Sequence, residues 1–427
     1  MAEFINIHIL HTIAAWFGGS VAVDALFGYI AAAVLKAVVI LNIIAVGALF
    51  FIWLERKVSG RIQDRLGPTR VGGKFGWLQT LADGLKLITK EDLMPGDADG
   101  LLFRLAPYIA FCASFAAYLA LPFAAGWAAI QLNVAVFFIL AVLGMEVFGV
   151  ILAGYASASK WSLFGAMREA AQVVSYEVPL GLCVVIPVTV AGTMDLTKIG
   201  ELQAGWFTNW YVFHSPMMLI TAGVFFTCCL ASVNRAPFDL AEAESELVAG
   251  FHTEYSGLRW SFFFMAEYGS MFLVSGLAAA LFFGGWNGPI PITHILGIAG
   301  ADGVAGFIAQ LMGATNMLIK MSLGVTIMIW IRWTLPRLRI DQVMTTCWKY
   351  CTPIACVMFV GVLLWQAFQL PTAGRLAPMQ VAGDVEELLP PPPTEAAATA
   401  SWPGHLAPAN SAIAGAGSPG HEFGRAK

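Results

Sequence analysis

The sequence predicts an all-α integral membrane protein of about eight transmembrane helices, with an interfacial amphipathic helix in loop one. Three observations predict it. Of 427 residues, 58% are hydrophobic and 12% charged, against roughly 25% charged in an ordinary soluble domain. Apolar runs of about 20 residues, enough to cross about 30 Å of hydrocarbon, recur along the chain. Stretches such as 31–54 are apolar on every face, which excludes the alternation of a transmembrane barrel strand.

Residues 1–27 carry no Lys or Arg, so they lack the positive start of a cleaved signal peptide and read as an apolar N-terminal leader. The membrane domain covers 28–370, with spans at 28–54, 105–125, 132–155, 171–193, 214–233, 260–286, 304–331 and 351–370. From 371 to 427 the composition turns to Pro, Ala, Gly and Ser, including Pro390 to Pro393. With few large apolar groups to bury, this segment reads as a disordered tail. No repeat of 20 to 50 residues stands out, the spans do not divide into matching halves, and no broken helix is apparent. A transporter built from inverted repeats is thereby disfavoured.

Basic residues sort by loop. Loops one, three, five and seven hold 8, 2, 2 and 4 Lys or Arg, with Arg104 at the same boundary, whereas loops two, four and six together hold only Lys198. The positive-inside rule puts the odd loops in the cytoplasm, and an even number of crossings puts both termini outside. Within loop one, Trp77, Leu78, Leu81, Leu85 and Ile88 share one helical face opposite Gln79, Asp83, Lys86 and Lys90. Such a helix lies flat in the membrane interface, as a brace or as the wall of a lipid-accessible entrance.

The spans contain five charged residues: Lys36, Glu146, Glu177, Glu267 and Lys320. A central charge costs roughly 2.5 to 3.5 kcal/mol to insert, so three lipid-facing carboxylates would cost on the order of 8 to 10 kcal/mol. That rivals the stability of a whole domain. The acids are therefore expected to face the bundle interior, paired, solvated or protonated, with Lys36 and Lys320 as natural counter-charges. At about 1.5 Å of rise per residue, Glu177 and Glu267 lie about 10 Å and Glu146 about 14 Å from the inner ends of their spans. Grouped at this depth, they could be separate buried pairs or a hydrated proton path, because buried carboxylates exchange protons near neutral pH.

Loop five adds Asp239, Glu242, Glu244, Glu246 and Glu254 beside Arg235. If helical after Pro237, the segment puts Asp239, Glu242 and Glu246 on one face and turns Glu244 away. Neighbouring like charges couple their protonation to any charge created nearby. Loop one carries the opposite sign in Arg56, Lys57, Arg61, Arg65 and Arg70, so loops one and five are expected to neutralise each other. A net charge of -4, from 23 basic and 27 acidic residues, leaves no basic excess for nucleic acid. None of the seven cysteines forms a Cys-x-x-Cys pair, and Cys347 with Cys351 would supply only two of a metal's ligands. No nucleotide-binding glycine motif and no intramembrane histidine pair for a haem are present. The chain is thus expected to carry no electrons itself.

Five motifs in order, Glu55-Arg56-Lys57-Val58-Ser59-Gly60-Arg61-Ile62-Gln63-Asp64-Arg65-Leu66-Gly67-Pro68, Ala82-Asp83-Gly84-Leu85-Lys86-Leu87, Ala171-Gln172-Val173-Val174-Ser175-Tyr176-Glu177-Val178, Asn234-Arg235-Ala236-Pro237-Phe238-Asp239-Leu240 and Thr334-Leu335-Pro336-Arg337-Leu338-Arg339-Ile340-Asp341-Gln342, carry a resemblance. Over roughly residues 30 to 370 the chain resembles a family of membrane subunits of respiratory complex I, the proton-translocating NADH:quinone oxidoreductases. The resemblance implies a translocase component whose cytoplasmic loops floor a quinone (ubiquinone) channel. Two peripheral subunits would roof it, one carrying the terminal iron-sulfur cluster. It implies that Arg56, Arg65, Asp83, Lys86 and Arg337 line or support that channel. Glu146 joins by depth the acids carried over by motif, Glu177, Asp239, Glu242, Glu244, Glu246, Glu254 and Glu267, which would couple quinone reduction to antiporter-like pumps. FMN and iron-sulfur clusters would reside in partner subunits, no metal in this chain, and small membrane subunits would pack beside it. The setting implied is the bacterial cell inner (plasma) membrane, with periplasmic termini. Glu169 adds an acid where the resemblance leads us to expect a small residue, which leaves the charge balance of loop three open. The competing readings are the equivalent component of a membrane-bound hydrogenase or related dehydrogenase, a free-standing ion transporter, and a purely structural anchor.

Overall fold

The computed structural model describes residues 26–241, 244–297, 304–368 and 370; the leader as far as residue 25, Glu242 and the tail from 371 lie outside the described residues. Among the described residues every regular element is helical. In chain order the helices are α1 (Leu26–Ile62), α2 (Gln79–Thr89), α3 (Gly100–Ala117), α4 (Ala135–Gly144), α5 (Glu146–Ala156), α6 (Lys160–Ala191), α7 (Leu196–Leu202) and α8 (Pro216–Ser232). There follow α9 (Glu244–Leu247), α10 (Gly257–Phe282), α11 (Ile292–Ile295), α12 (Val304–Thr334), α13 (Ile340–Thr345) and α14 (Thr352–Ala367), with a π-helical turn at Thr346–Cys351 joining the last two.

Seven stretches among the described residues are long and apolar enough to cross a membrane: Ala37–Ile62, Gly100–Ala120, Ala135–Ala156, Lys160–Ala191, Gly257–Phe282, Val304–Thr334 and Ile340–Ala367. Pro216–Ser232 is a shorter apolar helix. Each of the eight spans read from the sequence falls on one of these.

Capping residues set several helix starts. Asp99 accepts from Leu101 N and Leu102 N at the head of α3, Asp195 from Thr197 N at α7, and Ser215 from Met218 N at α8, where Pro216 fills the first turn. These side chains satisfy amides that have no partner inside the helix. Gly192 closes α6 at φ 70°, a left-handed turn that costs glycine little.

Contrary to the sequence reading, one crossing is broken. The third span stops at Gly144 and restarts at Glu146. Gly144 is a poor helix former, and its bare backbone leaves room for Glu177: a Cβ there would stand 2.8 Å from Glu177 Oε1.

The most buried crossing is α10, packed between α3 and α12, while α6 packs against α5, α8 and α14. Hydrogen bonds sort the loops into two groups at opposite ends. Loops two, four and six meet through Val136 N to Met194 O, Phe207 N to Pro289 O, and Asn287 Nδ2 to Gly200 O. Loops one, five and seven meet through Leu93 N to Ser256 Oγ and Leu338 N to Pro237 O, and loop three joins them through Ser162 Oγ to Phe251 O. The odd loops therefore share one end of the bundle.

Candidate functional site

The site is built on the end of the bundle that gathers the odd loops. At the foot of α1, Trp53 donates to Phe75 O at 2.9 Å and stacks on Trp77 with ring centres 4.2 Å apart. This pins the start of α2 against α1. The approach of the intervening loop is close: a Cβ on Gly60 would lie 2.9 Å from Gly67 N. The apolar side chains of α2, Leu81, Leu85 and Ile88, point outward, as a helix lying in the membrane interface requires. On its polar side, half-buried Asp83 pairs with Arg56, and exposed Lys86 lies 3.8 Å away. Arg65 is exposed on the loop and bonded to Gln63. Of the channel residues read from the sequence, three thus form one ionic group, Arg65 stands apart, and Arg337 belongs to loop seven.

Beneath this surface is a buried charge centre. Glu55, 5% exposed, meets Arg235, 3% exposed, through Oε1 and Oε2 at 3.2 and 3.3 Å. Arg332 and the Tyr268 hydroxyl also donate to Glu55. On its other side, Arg235 Nε lies 2.7 Å from Glu267 Oε1, and its guanidinium lies 4.5 Å over the Tyr268 ring. Burial works against the charge on Arg235, but Glu267 and then Glu55 outweigh it and hold the guanidinium more firmly protonated than in water. Five side chains drawn from α1, loop five, α10 and α12 thus converge on one centre. The close approach of opposite charges on both sides offsets the cost of burying the guanidinium.

Glu267 also faces a cavity of about 40 Å³ whose polar lining is Glu146, Glu169, Ser232, Asn234, His252, Glu267 and Ser270. At roughly 10 to 15 Å³ per water, it has room for about three. Ser270 Oγ donates to Glu146 at 2.6 Å. A second hollow of about 260 Å³ on the same measure, open to the outside, shares Leu143 and Ser232 with the first and is lined by Glu177. The expected interior position of Glu146 and Glu267 agrees with this arrangement. Glu177 does not: it is exposed on the outer wall of the chain, because α6 turns Tyr176 and Gln172 inward instead.

Loop five departs from the expected helix. Among its described residues α9 forms one helical turn and Gly250–His252 a 3-10 turn, and Asp239 lies in irregular chain before both. Loop seven takes hold of that stretch: Leu338 N bonds Pro237 O at 3.0 Å, and Arg337 lies 2.9 Å from Asp239. Glu246 is exposed and paired with Arg168 of α6 at 2.6 Å, and that hydrogen bond and charge hold its carboxyl below the usual carboxylate range. Glu254 is half-buried. The Glu244 side chain, with all of Glu242, lies outside the described residues. Asp239 and Glu246 therefore meet loops seven and three. Loop one contributes an acid, Glu55, to the base of loop five, the reverse of the neutralisation expected.

Lys320 corrects a second expectation. Backbone oxygens, in place of a carboxylate, receive its charge: Nζ donates to Phe283 O, Gly285 O and Asn287 O at 2.6, 2.8 and 2.5 Å and lies 4.4 Å over the Trp210 ring, at the end that gathers the even loops. The Lys36 side chain lies outside the described residues. Sequence reasoning named Glu55 and Arg235 only within motifs and missed Arg332, Tyr268, His252 and Arg168. Two signals could have found the centre: Arg235, the base just ahead of the loop-five acids, and Arg332, directly after a span.

The chain matches the family model described as NADH dehydrogenase over residues 35–363. It is 44% identical to the H subunit of NADH-quinone oxidoreductase from Anaeromyxobacter dehalogenans, over 78% of this chain and 82% of the relative. The corresponding protein of Chlorobium luteolum is 45% identical over 78% and 88%. A Cytophaga hutchinsonii protein, the second H subunit of its NADH-quinone oxidoreductase, is 41% identical over 76% and 97%. A model match over most of the chain, relatives at this identity and a multi-pass helical fold together show that the chain belongs to the NADH dehydrogenase family, as a membrane component akin to the H subunit of NADH-quinone oxidoreductase.

Proposed function

We propose that the chain forms the floor of a quinone channel and couples quinone reduction to proton translocation through its intramembrane carboxylates. The observation that carries this reading is Arg235, shared between Glu55 behind the loop-one surface and Glu267 on the water-sized cavity. In this reading Arg56, Arg65, Asp83, Lys86 and Arg337 line or support the channel. Peripheral subunits roof it and hold FMN and the iron-sulfur clusters, while this chain contributes no redox cofactor.

Two electrons delivered to a quinone create negative charge, which raises the proton affinity of carboxylates within reach. A guanidinium held by two carboxylates responds to such a change by favouring one of them, and Glu267 passes the imbalance to Glu146 through the enclosed waters. Glu177, exposed beside the open hollow, hands the path to a neighbouring membrane component and so toward the antiporter-like pumps. Asp239, Glu242, Glu244, Glu246 and Glu254 form the acidic rim that senses the channel. The odd loops face the cytoplasm of the bacterial cell and both termini the periplasm.

Glu267→Gln in the assembled enzyme is expected to lower quinone-linked turnover and proton pumping together, and unchanged rates would reject its role. Photo-crosslinking with a quinone analogue is expected to label the peptides around Arg56 and Asp83. Labelling confined to other subunits would remove the channel assignment.

A further inference from the structure

Glu169 has no place in the path described above, yet it lines the same cavity. Its side chain points from α6 into the bundle and is 4% exposed. Around the cavity stand Glu146 from α5, Glu267 and Ser270 from α10, and Asn234 and His252 from loop five. With room for about three waters, the cavity could link the Glu169 carboxyl to those groups through water-mediated hydrogen bonds.

The neighbours of Glu169 fix the role of one of its oxygens. Asn234 Nδ2 donates to Glu169 Oε1 at 2.6 Å. The Asn234 amide is itself held by Gln172, whose Nε2 donates to Asn234 Oδ1 at 3.0 Å and to Ala231 O at 2.8 Å. Asn234 takes φ 52°, a left-handed conformation that asparagine tolerates better than most residues. An amide fixed at both ends fixes Oε1 as an acceptor, so a proton taken up by this carboxyl goes to Oε2. Loop five is pressed onto α6 nearby, since a Cβ on Gly165 would stand 2.8 Å from Gly250 Cα, and the cavity therefore has little freedom to swell.

We propose that Glu169 is a proton-exchanging member of the carboxylate path, held by the Gln172–Asn234 amide pair and joined through the enclosed waters to Glu146 and Glu267. This inference rests on the proton path of the proposed function and adds a residue to it. The alternative role, a fixed hydrogen-bond acceptor for Asn234, is preserved in Glu169→Gln, whose amide oxygen accepts in the same place. Exchange of a proton is not preserved.

The test is redox-induced infrared difference spectroscopy on the purified, assembled enzyme, with E169Q, E169D and N234A compared with the natural protein. E169Q is expected to remove one carboxyl contribution from the protonated C=O region. E169D is expected to restore it at a shifted frequency, and N234A to shift it through loss of the donated hydrogen bond. A natural carboxyl signal that E169Q leaves intact would overturn the role of Glu169 and leave the wider path standing. No carboxyl signal in the natural enzyme would overturn the path and Glu169 with it. Should E169Q fail to assemble, N234A decides: an unshifted signal overturns the proposal.

Discussion

Two cations sit deep in this chain, and they are held in opposite ways. Arg235, at the end that gathers the odd loops, is compensated by the carboxylates of Glu55 and Glu267. Lys320, toward the other end, is compensated by three backbone carbonyls of loop six and the face of Trp210. A carboxylate can lose its charge by taking a proton; a carbonyl dipole cannot. The first arrangement can therefore change state when its surroundings change, and the second can only hold or break. The difference separates an end of the molecule suited to coupling from an end suited to bracing.

The largest expected effect comes from breaking the first arrangement. Arg235→Leu takes the buried cation from Glu267 and leaves Glu55 with Arg332 alone, and losses of this kind cost about 3 to 5 kcal/mol. Thermal unfolding of the assembled enzyme is expected to fall sharply, with turnover lost in whatever assembles. The triple variant R235L/E55Q/E267Q is expected to recover much of the stability and none of the coupling. Breaking the second arrangement with Lys320→Met leaves three carbonyls unpaired, at about 1 to 3 kcal/mol for each buried group left unsatisfied. Here stability is expected to fall while turnover per assembled enzyme holds. Loss of turnover matching that of R235L would erase the distinction between the two ends.

A smaller effect is expected from Gly144→Ala. Alanine favours the helix by up to about 1 kcal/mol, but its methyl would crowd Glu177 Oε1. Turnover is expected to fall modestly with stability little changed, as read by steady-state rates beside unfolding midpoints. The smallest concerns Arg168 and Glu246, exposed where Arg235 is buried. Because Arg168 lowers the carboxyl pKa of Glu246, the pair contributes above the ordinary glutamate value of 4.5, and the contribution fades as pH falls through the lowered value. Arg168→Gln is expected to change turnover slightly at low salt and not at all near 1 M, where charges are screened within about 3 Å. An undiminished effect at high salt would mean that this pair belongs with the buried ones.

The crossings were legible because a membrane demands uninterrupted apolar length, and the sorting of Lys and Arg between odd and even loops matches the two ends of the bundle. The grouping of Glu146 and Glu267 was legible from depth, since helical rise converts residue number into distance. The charge centre was not. Arg235 and Glu55 are 180 positions apart, and nothing in the local pattern of either selects the other. The partners of Lys320 were invisible for a different reason: any residue can offer a carbonyl, so they leave no mark on the composition. The spacing of acids after Pro237 suggested a helix because periodicity alone omits the pull of Arg337 and Leu338 from loop seven. Glu177 was misplaced because the insertion argument considers the chain alone in lipid, without neighbours.

That outward carboxylate has a consequence for how the chain is made. Left uncovered within the bilayer, a charge costs roughly 2.5 to 3.5 kcal/mol at the centre and less near the surface. A newly synthesised copy therefore bears a local penalty, which the neighbour proposed above would remove on assembly. In the assembly proposed above, orphan copies produced in excess of their neighbours would be handicapped at this carboxylate, which would give quality-control proteases a physical criterion for removing them.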